Sequence, residues 1–344
     1  MNSQERFLAT LSHQPVDRPP CWLGMPTQEA LARLFEYFSV SSVLELKTLL
    51  DDDLYPVEVP YHHPPANHIS CAFDFSAGNA ADYEERTLTD QGYFAGKTDP
   101  RCVDGFPWPN PLDHIDLDEF RRAGSEVPDG KVGLGIMWSA HFQDACAAFG
   151  MEEALVTMLL EPDMFRAVID RILEFYLQAN ELFYRATAGR IQAVLLGNDL
   201  GTQNGLLVGA ETLRELVFPG VRRLIEQAHE HNLKVIYHSC GSVSPIIGDL
   251  IDAGADVIHP IQPLAAGMDA EGLKSQYGYR VAFCGGVDVQ QLMTDASPEE
   301  VRQEVRRLRE LFPTGLIVSP SHEALLADVP PANVAAMFEE CKRL

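Results

Sequence analysis

The chain has 344 residues, of which 46% are hydrophobic, and its formal net charge is −24. A surface this acidic repels phosphate backbones and anionic lipid, which excludes nucleic-acid and membrane-surface roles as first expectations. It also works against a polyanionic substrate unless a local basic patch overrides the field.

From the N-terminus, residues 1–20 carry Gln, Glu, Arg, His and Asp and no apolar leader. Nowhere does the chain approach the roughly 18 consecutive apolar residues of a membrane span. A cytosolic protein is therefore expected. The pattern that follows is a repeating unit: a short apolar run, a polar or Gly-containing turn, then an amphipathic stretch. Eight such runs occur, at Cys21–Gly24, Tyr55–Pro60, Val132–Met137, Ala193–Gly197, Lys234–Tyr237, Asp256–His259, Arg280–Cys284 and Gly315–Val318. Several are nearly continuous apolar stretches, as strands buried on both faces of a parallel sheet require.

Helices are predicted between them at Gln28–Phe38, Val43–Leu50, Met151–Leu160, Pro162–Ala188, Ala210–Asn232, Ser244–Ala253, Pro298–Phe312 and Pro331–Cys341. Ser297 has the chemistry of an N-cap, followed by Pro298 at the first helical position and acids in the first turn. Eight strand–helix alternations with right-handed crossovers predict a single-domain (β/α)8 barrel over residues 1–344. Residues 61–131, rich in Pro, His, Asp and Gly, break the rhythm. They leave the second strand at its C-terminal end and are expected to form a lid over the mouth. Within them His62, His63 and His68 read as solvated loop residues and Trp108 as a packing anchor.

In such a barrel, chemistry sits at the C-terminal strand ends. Those ends carry Met25, Trp138, Asp199 with Gln203, His238 with Cys240, His259 and Gln262, Cys284 with Asp288, and His322. Imidazole and thiolate in the His238-Ser239-Cys240 spacing suit zinc, with Cys284 or His322 as a third ligand. The same spacing suits a buried cysteine beside a hydrogen-bonded histidine. Asp199 reads as a general base, an orienting acceptor or a turn-capping residue. Met25, Trp138, Gln203, Gln262 and Asp288 are candidate substrate contacts, although Asp288 also suits a cap. His259 reads as a core histidine. The seven cysteines are odd in number, widely spread and without a C-x-x-C pair. They read as free thiols or metal ligands, with Cys21, Cys146 and Cys341 as packing residues.

The motifs together resemble the uroporphyrinogen decarboxylase superfamily. The resemblance rests on Arg6-Phe7, Val16-Asp17-Arg18-Pro19-Pro20, Asn198–Gln203 with Gly205-Leu206-Leu207, Lys234–Gly241, Gly285–Gln290, and Ser319–His322 with Asp328-Val329-Pro330-Pro331. It implies a (β/α)8 barrel and one of two chemistries. The decarboxylases bind a polycarboxylate porphyrinogen with an Arg-Gln-Ala-Gly-Arg segment after strand one. Here Gly24-Met25-Pro26-Thr27-Gln28 stands in its place, without either arginine. The other branch moves methyl groups to or from a corrinoid carried by a partner protein. Its thiol-using members hold zinc with an H-x-C pair on strand five, matched by His238 and Cys240, and with a cysteine after strand eight. This chain has His322 in that turn. The resemblance therefore implies a corrinoid-linked methyltransferase with a small-molecule substrate, zinc and a homodimeric state. The alternatives are a decarboxylase and a non-catalytic binding barrel.

Overall fold

The computed structural model describes residues 1–58, 69–76 and 87–343. Among these residues the sheet has seven parallel strands in sequential order: β1 (Leu54–Val57), β2 (Val132–Trp138), β3 (Ala193–Gly197), β4 (Lys234–His238), β5 (Val257–Ile261), β6 (Ala282–Val287) and β7 (Leu316–Pro320). They correspond to the second through eighth apolar runs, with ends shifted by at most three residues and β3 matching its run at both ends. Inward-facing side chains follow the period of two along each strand. Trp22, Leu54, Leu134, Leu195, Ile236, Val257, Cys284 and Ile317 form a cluster of buried residues distinct from the one between sheet and helices.

The first run, Cys21–Gly24, is not a strand of the ladder, yet it meets both sheet edges. Cys21 bridges to Val318 of β7, and Trp22 N donates to the Val318 carbonyl at 2.9 Å. On the other side, Asp53 N donates to the Cys21 carbonyl at 3.0 Å. Two buried carboxylates complete the join. Asp53 accepts from Cys21 N at 2.8 Å and from Arg6 and Arg18 at 2.6 and 2.7 Å. Asp52 accepts from Leu23 N at 3.1 Å and pairs with Lys47. The expected eighth strand is thus reduced to one bridge because side-chain carboxylates take hydrogen bonds that a ladder would otherwise supply.

Helices Gln28–Phe38, Val43–Leu50, Met151–Leu160 and Pro331–Cys341 have the expected bounds. The Ser297 cap is a full capping box with Glu300. The stretch Ala210–Asn232 divides instead into Ala210–Leu216 and Phe218–Glu230. Pro219 lacks an N–H and restricts the residue before it, so it starts a new helix rather than continuing the old one. Helices Ser3–Leu11, Leu117–Ser125, His141–Phe149 and Ala270–Tyr277 also form, and the apolar-run pattern had not marked them.

The cysteine reading needs one correction. Cys21 and Cys341 are joined by a disulfide across 320 residues. Spacing cannot reveal such a pair; only the packing of the last helix beside the first run brings the thiols together. Of the 61–131 segment, Phe73, Phe75, Phe94, Phe106 and Trp108 form an aromatic cluster that packs on Phe175 of helix Pro162–Ala186. His62, His63 and His68 lie outside the described residues. Among the described residues no helix is long and apolar enough to cross a membrane.

Asp53 is fully buried between two arginines. Asp53→Asn removes the carboxylate that both guanidinium groups share, while Arg6 keeps Asp17 and Arg18 keeps Asp51, so we expect a loss of about 1.5–3 kcal/mol in unfolding free energy. Denaturant titration measures it, and an unchanged midpoint would show that the carboxylate is not the closing element.

Candidate active site at the strand C-termini

Register builds the centre of the site. His238 on β4 and His259 on β5 are direct lateral partners, so both imidazoles project into the barrel side by side. Their Nδ1 atoms are 2.9 Å apart. The loop after β4 then turns through Gly241, whose φ is +81°. A Cβ there would come within 2.6 Å of the Thr202 carbonyl, so glycine is required for the loops after β3 and β4 to pack. Ser242 N donates to the Thr202 carbonyl at 2.7 Å, and Gly241 N donates to Gln262 Oε1 at 2.8 Å. These contacts fix Cys240, whose Sγ is 3.1 Å from His238 Nε2.

Asp199 comes from the loop after β3. The preceding Asn198 is buried; it accepts from Phe142 N at 2.9 Å and donates to the Tyr237 hydroxyl at 3.2 Å, which anchors that loop. Asp199 Oδ1 accepts from Cys240 N at 3.2 Å and lies 3.3 Å from His238 Nε2. His322 and Glu323 arrive from the turn after β7. That turn is held to the first run by Met25 N, which donates to the Glu323 carbonyl at 2.6 Å. Gly24 permits the contact, since a Cβ there would meet the same carbonyl at 2.4 Å. Glu323 Oε2 lies 3.3 Å from His238 Nδ1 and 3.4 Å from His322 Nδ1, yet makes no hydrogen bond.

Asp199, His238 and Cys240 therefore form one group whose ligand atoms lie within 4.8 Å of one another; Cys240, His322 and Glu323 form a second, and His238, His259 and Glu323 a third. The charges are strongly coupled. Burial opposes charge on His238, but Glu323, Asp199 and Cys240 outweigh it and raise its pKa well above the ordinary value. Burial would likewise lift Asp199, yet the His238 hydrogen bond and charge hold its carboxyl down to about 2. For Cys240, hydrogen bonds with His238 and His322 overcome burial and bring the thiol below its usual value. The hydrogen bond with Cys240 raises His322. Burial, together with the two neighbouring histidines, drives His259 well down, so it is neutral.

The remaining expected residues fall into two sets. Trp138 stands edge-on to His238 with ring centroids 5.3 Å apart, and Met25 lies beside the Glu323 turn. Gln262 is buried and lines a cavity of about 300 Å³ next to His322, together with Val289, Gln290, Leu326 and Asp328. Among the described residues no lysine or arginine is in that lining. By contrast, Cys284 is not at the mouth. It is mid-strand in β6, fully buried in the barrel interior, and 3.4 Å from Ser319 Oγ, with its thiol pushed up to about 12 by burial. It belongs to none of the groups able to hold a metal. The strand continues to Val287, three residues past the apolar run, and this displaces Cys284 from the rim. Asp288 spends both oxygens capping Gln290, Gln291 and Leu292, and Gln203 donates to the Leu264 carbonyl at 2.8 Å. Glu323 was not anticipated from the sequence; its only signal was adjacency to His322.

The two thiols should differ in reactivity. In metal-free protein, iodoacetamide is expected to modify Cys240 while leaving Cys284 intact. Because the Cys240 pKa is lowered, thiolate persists as pH falls. From pH 8 to 7 its rate should drop by less than the roughly eightfold of an ordinary thiol with pKa about 8.5. Peptide mapping that finds Cys284 labelled as fast as Cys240 would contradict this arrangement.

Residues 117–344 match the family model for uroporphyrinogen decarboxylase (URO-D). A methylated-thiol–coenzyme M methyltransferase of Methanosarcina mazei is 25% identical over 247 residues, which cover 68% of this chain and 61% of that protein. The chain thus spans less than two thirds of that relative's length. A uroporphyrinogen decarboxylase of Alkalilimnicola ehrlichii is 23% identical over 381 residues, covering 99% of this chain and 94% of the relative. A solved methyltransferase from Methanosarcina mazei shares the fold, with a TM-score of 0.71 at 16% identity over 99% of this chain and 98% of that one. With the family match extending over well more than half its length, the chain belongs to the uroporphyrinogen decarboxylase family.

Proposed function

We propose that the protein is a methyltransferase that moves a methyl group between a small methylated substrate or thiol and a corrinoid carried by a separate protein. The observation that carries this reading is the convergence of Cys240 Sγ and His238 Nε2, 3.1 Å apart, with His322 and Glu323 from a turn more than 80 residues further along. The methyltransferase relative supports the same reaction class.

The donor set fits zinc. Ligand atoms of a tetrahedral zinc stand about 3.3–3.8 Å apart, from bond lengths of about 2.0–2.3 Å. The Cys240–His238 and His238–Asp199 separations of 3.1 and 3.3 Å are close to that spacing. Glu323 Oε2, buried and without a hydrogen bond, is a carboxylate oxygen in need of a partner. Cys240 Sγ is common to two ligand groups, with His238 and Asp199 in one and His322 and Glu323 in the other; Cys240 and His238 Nε2 would hold the ion with Asp199 beside them, His322 is the proposed further ligand from the adjoining group, and Cys284 has no place in the set. When bound, zinc supplies a Lewis acid that lowers the pKa of a thiol or polarises an ether oxygen.

The protein's own groups do the rest. Asp199, half-exposed and ionised, accepts a hydrogen bond from the substrate heteroatom and so orients it. Gln262 and the apolar wall of Val289, Ala324 and Leu326 shape the pocket, and Trp138 stands against His238. A decarboxylase would have to neutralise several substrate carboxylates, and among the described residues the cavity lining offers Asp328 and no lysine or arginine for that purpose.

Purified protein is expected to contain one zinc per chain. Cys240→Ala should lose the metal and methyl transfer to cob(I)alamin while its circular dichroism is unchanged. Full transfer by a metal-free Cys240→Ala protein would reject the reading. Uroporphyrinogen should be left intact in an anaerobic assay, and robust coproporphyrinogen formation would assign the decarboxylase instead.

A further inference from the structure

His259 looks at first like an ordinary core histidine. It is 1% exposed, sits mid-strand in β5 and is flanked by the barrel interior. Its surroundings are not those of a satisfied core residue. Its ring centroid is 5.0 Å from that of His238 and 5.3 Å from the buried indole of Trp22. Its Nδ1 meets His238 Nδ1 at 2.9 Å, a hydrogen-bond distance, while its Nε2 has no partner at all.

Two imidazole nitrogens at that distance must be one donor and one acceptor. His238 Nε2 faces Cys240 Sγ and Asp199, and a metal ligand must present a lone pair there. The proton of His238 then resides on Nδ1, and His259 Nδ1 accepts it. A neutral His259 that accepts at Nδ1 carries its own proton on Nε2.

We propose that His259 is a positioning residue for the metal centre: by accepting the Nδ1 proton of His238, it turns His238 Nε2 towards Cys240 as a ligand. The inference rests on the reading of His238 and Cys240 as metal ligands. It gives His259 of β5, which also forms a possible ligand group with His238 and Glu323, the part of a hydrogen-bond acceptor instead. The register pairing of His238 with His259 makes the contact a property of the sheet rather than of a loop. Outer-shell partners of this kind alter metal affinity by about 10–100-fold when removed.

The test uses the full chain and zinc alone, titrated in competition with a chromophoric chelator. His259→Leu removes the acceptor and should weaken zinc binding by about 10–100-fold. His259→Asn offers Oδ1 near the position of Nδ1 and should bring affinity back to within a few-fold of wild type. Thermal unfolding of the metal-free variants separates this from a general loss of packing, because a structural role would lower both midpoints without separating the two affinities. A second measurement needs no variant. Long-range proton–nitrogen correlation on 15N-histidine-labelled wild type should show His259 as the neutral Nε2–H tautomer, both without zinc and with it. Wild-type zinc affinity retained in His259→Leu, or a proton on His259 Nδ1, would overturn the positioning role and leave the metal centre standing. Failure of the wild type to bind zinc would overturn the metal centre itself, and the tautomer would then decide the hydrogen bond alone.

Discussion

The structure depends on a pair of buried carboxylates at the seam of the barrel. Asp52 and Asp53 fasten the first apolar run to β1, and the same run bonds to β7 through Val318. Buried ions are costly to desolvate, and Asp53 is acceptable only because two guanidinium groups and a backbone N–H meet it. The consequence reaches the opposite end of the strand. With the seam closed, Met25 N and Thr27 N bond to the carbonyls of Glu323 and Leu325, and the turn carrying His322 and Glu323 is held against the barrel mouth. An ion-pair network at one end of the barrel thus sets the position of candidate ligands at the other.

At that mouth, opposite charges are concentrated in a small buried volume. Two imidazoles stand among a thiol of lowered pKa and the carboxylates of Asp199 and Glu323. In a chain with net charge −24, such a site attracts cations and rejects anionic substrates. A divalent cation would satisfy the surplus of negative donors, among them the Glu323 oxygen that faces His238 and His322 without a hydrogen bond. The cavity of about 300 Å³ beside His322, with Gln262, Gln290 and Asp328 among apolar side chains, adjoins this cluster.

Much of this was legible in the sequence, for physical reasons that can be named. Strands buried on both faces write themselves as apolar runs, and a parallel barrel gathers their C-terminal ends at one rim. Asp199, His238, Cys240 and His322 could therefore be grouped although they are far apart in the chain. Local patterns failed where the determining contact is tertiary. Glu323 follows a histidine in a loop and has no spacing signal; only closure of the seam aims it at His238. Cys284 was misplaced because β6 runs on through Gly285, Gly286 and Val287, where glycines end the apolar pattern before the strand ends. The Cys21–Cys341 bond joins the two ends of the chain and could not be read from spacing. Asp288 and Gln203 have the right polarity for substrate contact, but backbone groups had already claimed them.

The central claim is that Cys240 and the histidines around it are ligands of one metal ion. Zinc K-edge X-ray absorption on the purified protein tests it most directly. The account predicts a shell of one sulfur at about 2.3 Å with nitrogen or oxygen neighbours at about 2.0–2.1 Å, including the outer-shell scattering of imidazole. Absence of the sulfur shell from a zinc-loaded sample, or its persistence in Cys240→Ala, would contradict it.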